Sequence, residues 1–315
     1  MKRLPVSAVV PTKDRSEILR LTLASLERQE ILPAELIVVD ASAGNETQRV
    51  LREFSDRVFD RCLVIWIPAA TSGAAVQRDQ GVGAATQPVI WFFDDDIRFE
   101  VDCVARLWAA LQSDDRLGGV SAMITNQHYG APSTMSRWMF GLMAGGARPS
   151  YAGCVLGPAV NLLPSNSEQL PEVVAVEWLN LTCTAYRRRA LPQRLFSAQF
   201  TGYSIMEDLT LSVIVGRDWG LANARTARIY HDSQPGSHKD DPGEMARMVL
   251  VNRYYVMTRV LGRRRWRDFA KLGLWVLFSH LSAVRDSAGR ATLLARLSGE
   301  FRALRDILSM RSEYA

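Results

Sequence analysis

Between Val6 and Ile124 short apolar runs alternate with helix-like stretches, and that alternation restricts the fold more than any other feature of the chain. SAVVP leads into a helical pattern through Leu19 to Leu26, and ELIVVD leads into another near Gln48 to Phe54. CLVIWI and PVIWFF continue the series, with a helical stretch from Ser72 to Ala85 between them. Strands that are apolar on both faces and separated by helices form a mainly parallel sheet covered on both sides. With 315 residues and 48% hydrophobic content, the chain can bury such a core as one large domain or two closely packed halves.

The pattern breaks twice. From Asn126 to Pro171 it gives way to Gly-, Pro- and Met-rich sequence (WMFGLMAGGARPSYAGCVLGP), too apolar for a linker and too irregular for one helix, and read here as a substrate-facing region with a mobile loop. Strand character returns around Val173 to Trp178, and a helix is expected over Glu207 to Val215. After HDSQPGSHKDD a third segment begins, with Asp241 as helix N-cap, Pro242 at the first helical position, Glu244 three residues after the cap and Gly262 suited to the end. Residues 1–125, 126–232 and 233–315 are the expected divisions.

Phe269 to Val284 (FAKLGLWVLFSHLSAV) is shorter than the roughly 20 apolar residues a membrane span takes and contains Lys271 and His280, so it reads as an in-plane membrane helix or a core helix. The net charge is +5, with the excess mostly after His231, notably Arg263, Arg264, Arg265, Arg267 and Lys271. That asymmetry implies an anionic partner surface, membrane lipid ahead of nucleic acid, since no aromatic–basic platform recurs. Lys2 and Arg3 precede a run broken by Pro5, Pro11 and Lys13, with no small-residue cleavage site after it, so no secretion leader is expected. Cys62, Cys103, Cys154 and Cys183 are scattered without a C-x-x-C pair and are expected to be buried thiols of a reducing compartment.

The densest chemistry lies where PVIWFF runs into Asp94, Asp95 and Asp96. Strand ends of open α/β sheets are where ligands bind, and crowded carboxylates suit Mg²⁺ or Mn²⁺, which can hold a diphosphate. Later, YSIMEDLTLS supplies Glu207 and Asp208, and ARIYHD supplies His231. Together these indicate chemistry on an activated phosphate ester.

The order VVPTKDR, ELIVVD, SGAAVQRDQG, FFDDD, MEDLTLS, IYHD resembles the family 2 glycosyltransferases over roughly residues 4 to 232. The resemblance implies a GT-A fold, a Rossmann-like, mainly parallel sheet flanked by helices, here with a C-terminal helical segment. It implies a nucleotide-sugar donor, a divalent cation bridging the diphosphate to the D-x-D carboxylates, and an acid that activates the acceptor hydroxyl with inversion. Asp94 and Asp96 match the D-x-D positions, Asp96 as the direct metal ligand and Asp94 nearer the ribose or a metal-bound water, with Asp95 between them. His231 matches a histidine that helps hold metal or diphosphate, although a structural turn with Asp232 fits it equally well. Asp208 matches the general base, and Glu207 could serve instead or orient it. Asp40 matches the carboxylate that accepts uracil N3–H, and Pro11, Thr12 and Asp14 match the loop around base and ribose. Arg78 matches the arginine that approaches the diphosphate; Asp79 follows it where Asn is usual. Trp178 falls in the zone that lines the acceptor cleft.

The implied function is metal-dependent, inverting transfer of a sugar from a UDP-linked donor to a saccharide or lipid-linked acceptor in surface glycan assembly, at the inner face of the cytoplasmic membrane. A nucleotide-sugar-binding scaffold without turnover is the rival of a different class. A nucleotidylyltransferase is less favoured, because VVPTKDR lacks the Gly-rich, basic signature such enzymes carry after the first strand. GRRRW (Gly262 to Trp266) resembles the Q-x-x-R-W motif of processive synthases only faintly, since Gly262 stands in place of Gln.

Overall fold

The computed structural model describes residues 3–200, 202, 204–234, 241–285 and 287–312. The chain opens with β1 (Arg3–Thr12), α1 (Ser16–Glu27), β2 (Leu32–Asp40), α2 (Glu46–Val58), β3 (Leu63–Pro68), α3 (Ala74–Ala84), β4 (Val89–Phe93), β5 (Ile97–Phe99), α4 (Cys103–Gln112) and β6 (Leu117–Ile124). It continues through α5 (Thr134–Ala144), β7 (Val155–Leu156), β8 (Val160–Asn161), β9 (Val173–Ala175), β10 (Cys183–Arg187), α6 (Glu207–Val215) and β11 (Gly220–His231). Three helices follow: α7 (Pro242–Tyr255), α8 (Trp266–Ala283) and α9 (Ser287–Ser312). The chain forms two compact units, one of residues 1–129, 152–154 and 163–234, the other of 130–151, 155–162 and 235–315.

The first unit is built on one sheet ordered β3-β2-β1-β4-β10-β6-β11-β5, with β9 also paired to β11. Its β3-β2-β1-β4 half is parallel throughout, as the alternation of buried runs and helices predicts. β10 enters antiparallel between β4 and β6, while β6 and β11 are parallel. The core includes Leu19, Leu23 and Leu26 from α1 and Val50, Leu51 and Phe54 from α2, against Leu36 and Val38 of β2 and Trp91 and Phe93 of β4. On the other side α3 lies close to the sheet at Gly81, where an added Cβ would sit 2.4 Å from Val9 Cγ1.

Two polar clamps hold the ends of the parallel half. Buried Glu35 on β2 accepts from Ser7 Oγ (2.5 Å), Thr86 N (3.0 Å), Thr86 Oγ1 and Gln87 Nε2 (3.2 Å), tying β1, β2 and the entry to β4. At the other end Gln77 of α3 donates to Thr12 O (2.9 Å) and Val39 O (2.7 Å) and accepts from Gly73 N (3.1 Å). Those contacts fix the C-terminal strand ends, where open α/β sheets bind ligands.

Among the described residues, the regular elements of the second unit are helices apart from the short β7–β8 pair. Asp241 caps α7 as the sequence predicts, accepting from Gly243 N (2.9 Å) and Glu244 N (3.0 Å), and Gly262 takes the left-handed conformation (φ 66°) after a π turn at Val256–Val260. α9 packs on α7 through Ala303 and Ile307, and Gly299 sits close to the backbone at Gly243. α5 lies within the irregular stretch after Asn126, where composition does not announce a helix; Ser133 caps it by accepting from Ser136 N (3.2 Å). Cys62, Cys103 and Cys183 are buried thiols and Cys154 is half-buried.

Candidate active site

The acidic turn is built by the end of β4 and the start of β5. All five residues of β4 are buried, and Asp94 N donates to Thr182 O (3.1 Å). β5 then pairs antiparallel with the end of β11, with His231 opposite Ile97, and this register brings the imidazole beside the turn. Asp96 Oδ1 lies 3.2 Å from His231 Nε2. One ligand atom from each of Asp94, Asp96 and His231 falls within 4.8 Å of the others. Two carboxylates and an imidazole are a donor set that fits Mn²⁺ or Mg²⁺.

Several residues that sequence reasoning missed hold this arrangement. Thr22, in the middle of α1, donates to Asp95 O (2.6 Å) and accepts from Ile97 N (3.2 Å), pinning the backbone of the turn. Asn126 exchanges two hydrogen bonds with the backbone of His231, at 2.8 and 3.0 Å. Arg15 lies 3.4 Å from both Asp95 Oδ1 and Asp96 Oδ2. A helical Thr or a loop Asn carries no periodic signal, so only the fold brings them here.

The three carboxylates differ in environment. Asp95 is buried and accepts from Thr12 Oγ1 (2.6 Å); burial raises its carboxyl pKa to about 7 despite that bond. Asp95 therefore faces inward, toward Thr12 at the end of β1. For Asp96, burial works against the charge, but His231, Arg15 and the Gln234 N–H outweigh it and hold the carboxyl below its ordinary range. Asp94 is the most open of the three and pairs with Arg78 Nη2 at 2.6 Å.

Arg78 joins the acidic turn to α6. It is buried, with Nη1 3.0 Å from Glu207 Oε1, and the neighbouring carboxylates outweigh burial and keep it charged. Its Nε is buried without a hydrogen-bond partner among the described residues, a donor that an incoming oxyanion could fill. Asp79, next to it, is exposed. α6 begins at Glu207 after Met206 in the left-handed conformation (φ 72°), which sets both acids at the helix N-terminus. Burial first, and then the charge of Asp208, push the Glu207 carboxyl well above the usual carboxylate range; Asp208 is also pushed up, mainly by burial, while Leu209 N donates to it at 2.6 Å. Two neighbouring acids that resist simultaneous ionisation can hold a proton near neutral pH, as proton-transfer chemistry requires.

At the nucleotide end, Asp40 closes β2 and is buried, with Oδ1 accepting from Ser42 N (2.9 Å) and Oδ2 from the Trp66 indole N–H (3.1 Å). Each oxygen retains a lone pair. Trp66, on β3 opposite Val38, is exposed. Pro11 is buried, and Asp14 has φ 53° with its N–H donating to Ser42 Oγ (2.7 Å). Trp178 is buried, 5% exposed, so it presents little ring face for a sugar.

Comparison with known proteins places this geometry. The family described as Glycosyl transferase family 2 matches residues 7–146. Among curated proteins, a "PGL/p-HBAD biosynthesis glycosyltransferase" of Mycobacterium bovis (strain BCG / Pasteur 1173P2) and its counterpart in Mycobacterium tuberculosis (strain ATCC 25177 / H37Ra) are 27% identical over 139 residues, 42% of this chain and 54% of theirs. The chain thus spans about half the length of these relatives. Among solved structures, the mannosyltransferase PcManGT from Pyrobaculum calidifontis, in complex with GDP-Man and Mn²⁺, superposes with TM-score 0.56 at 12% identity, covering 97% of this chain and 88% of that one. GalNAc-T7 with UDP, GalNAc and Mn²⁺ gives TM-score 0.53 at 15% identity, covering 80% and 49%. At such identities the likeness shows the fold: a mixed α/β, GT-A arrangement.

Proposed function

Residues 7–146 match the family described as Glycosyl transferase family 2, and on the strength of that match we propose that the chain is a metal-dependent, inverting glycosyltransferase. The observation that carries this reading is the convergence of Asp94, Asp96 and His231 at one strand end, with Arg78 linking them to the acidic start of α6. The donor is a nucleotide diphosphate sugar, UDP-linked, with Asp40 accepting uracil N3–H through a lone pair left by Ser42 and Trp66. Nucleotide and Mn²⁺ in the two solved relatives support this class of donor.

Asp94, Asp96 and His231 would hold the cation, which supplies Lewis-acid neutralisation of charge on the leaving diphosphate. Arg78 adds a fixed positive charge to the same side, and its partnerless Nε N–H suits a phosphate oxygen. Asp208 takes the proton of the acceptor hydroxyl as that oxygen attacks C1 from the face opposite the leaving group, which inverts the anomeric centre. Glu207, bound to Arg78, orients the start of α6, while burial first and then the nearby Asp94 charge raise the basicity of Asp208. The acceptor is a saccharide or lipid-linked sugar, met at the inner face of the cytoplasmic membrane during assembly of a surface glycan.

The test is release of UDP from a panel of UDP-sugars with Mn²⁺. One sugar should be turned over, and Asp208→Asn should cut the rate by about 10²-fold or more while leaving UDP affinity intact. Near-normal turnover by Asp208→Asn would transfer the role to Glu207. Binding without turnover of any donor would favour the scaffold reading.

A further inference from the structure

The second unit leaves unusual amounts of apolar surface uncovered. On α8 and its C-cap Val284 the exposed positions from Ala270 onward are Ala270, Gly273, Leu274, Leu277, Leu281 and Val284, a helical stripe with no polar residue in it. Trp266, 74% exposed, stands at one end of the stripe and Arg285 at the other. α8 and α9 form an antiparallel hairpin clamped by His280 Nε2 and Glu300 Oε2 at 2.6 Å. On α9 the exposed row is Leu294, Leu297, Phe301, Leu304 and Leu308, while Ala303 and Ile307 face the core. α5 adds exposed Met135, Trp138 and Leu142, joined to the end of α8 where Arg285 Nη2 lies 3.3 Å from Met135 Sδ. Soluble surfaces rarely leave this many large apolar side chains uncovered along their helices without an occupant.

The charges beside these rows identify the occupant. Arg264, Arg265, Arg267, Arg285, Arg302 and Arg305 are exposed. The acids of α8 and α9 are turned inward or used locally: Asp268 caps α8 at Arg265 N, Glu300 holds His280 and Asp306 holds Arg247. No acid is exposed on α8 or α9 among the described residues. A second copy of the chain would also bury the 3-4 spaced row of α9, but it would set arginine against arginine. No helix among the described residues is long and apolar enough to cross a membrane, and α8, at 18 residues, suits a position in the plane of the interface.

We propose that the exposed faces of α5, α8 and α9 form a monotopic docking surface for an anionic phospholipid bilayer, apolar rows in the acyl boundary and arginines at the phosphates. The surface extends beyond the C-terminal segment to α5. It rests on the membrane-face reading for its setting, not on the transfer chemistry.

The experiment is co-sedimentation of the full chain with vesicles of phosphatidylcholine alone or mixed with phosphatidylglycerol. Binding should require phosphatidylglycerol and weaken with salt. Leu277→Glu with Leu281→Glu should lower partitioning by about 10-fold or more, and Trp138→Ser on α5 should lower it independently. Circular dichroism and UDP titration report that the variants remain folded. Failure of the wild-type chain to bind phosphatidylglycerol vesicles would overturn the proposal. So would unchanged binding by the folded variants, or a dimer in sedimentation equilibrium that the glutamates split. Vesicle binding without donor turnover would leave this surface standing and count against the transferase reading alone.

Discussion

Single side chains in the candidate site are held by neighbours that can be removed one at a time. Trp66 restrains Asp40 through its indole N–H, so Trp66→Phe should loosen UDP binding several-fold in calorimetry without changing the metal requirement. An unchanged affinity would separate Asp40 from the base. Burial lifts both carboxyls of the Glu207–Asp208 pair, with the Asp208 charge adding to the rise at Glu207, and the base role proposed for Asp208 needs its deprotonated form. Turnover should therefore be present at high pH and lost on the acid side, with a midpoint above the ordinary carboxylate value of about 4. The pH profile of kcat checks this, and Asp208→Asn should abolish that limb together with the rate.

Elements carry their own tests. Gly81 lets α3 approach β1, and Gly81→Ala should destabilise the first unit by about 1–3 kcal/mol in denaturant unfolding. Glu35 ties β1, β2 and β4, and its several donors outweigh burial and lower its carboxyl pKa. A lowered folded value means stability that is present above the unfolded value, about 4.3, and lost as pH falls through the folded value. The Tm gap between wild type and Glu35→Ala should thus be largest near neutrality and shrink in acid. The parallel half of the sheet, the α6 span and the Asp241 cap were legible because periodicity and capping are local signals. The antiparallel insertion of β10 between β4 and β6 was not, since strand order depends on pairing between distant segments. At the site, the clustered acids and the strand-end histidine announced themselves. Thr22, Asn126 and Arg15 did not, because their role exists only where α1, the β6 exit and β11 meet the acidic turn.

For the whole molecule, the two units divide the labour as proposed: a nucleotide-sugar site built on the sheet of one, and a lipid-facing helical surface on the other. The central claim is that Asp94, Asp96 and His231 bind a nucleotide diphosphate through a divalent cation. Calorimetric titration with UDP, GDP, dTDP and CDP, each with Mn²⁺ and with EDTA, tests it most directly when run beside Asp96→Ala. Saturable binding of UDP that needs Mn²⁺ and vanishes in folded Asp96→Ala is the predicted result. Equal binding in EDTA, or no nucleotide bound by the folded wild-type chain, would contradict it.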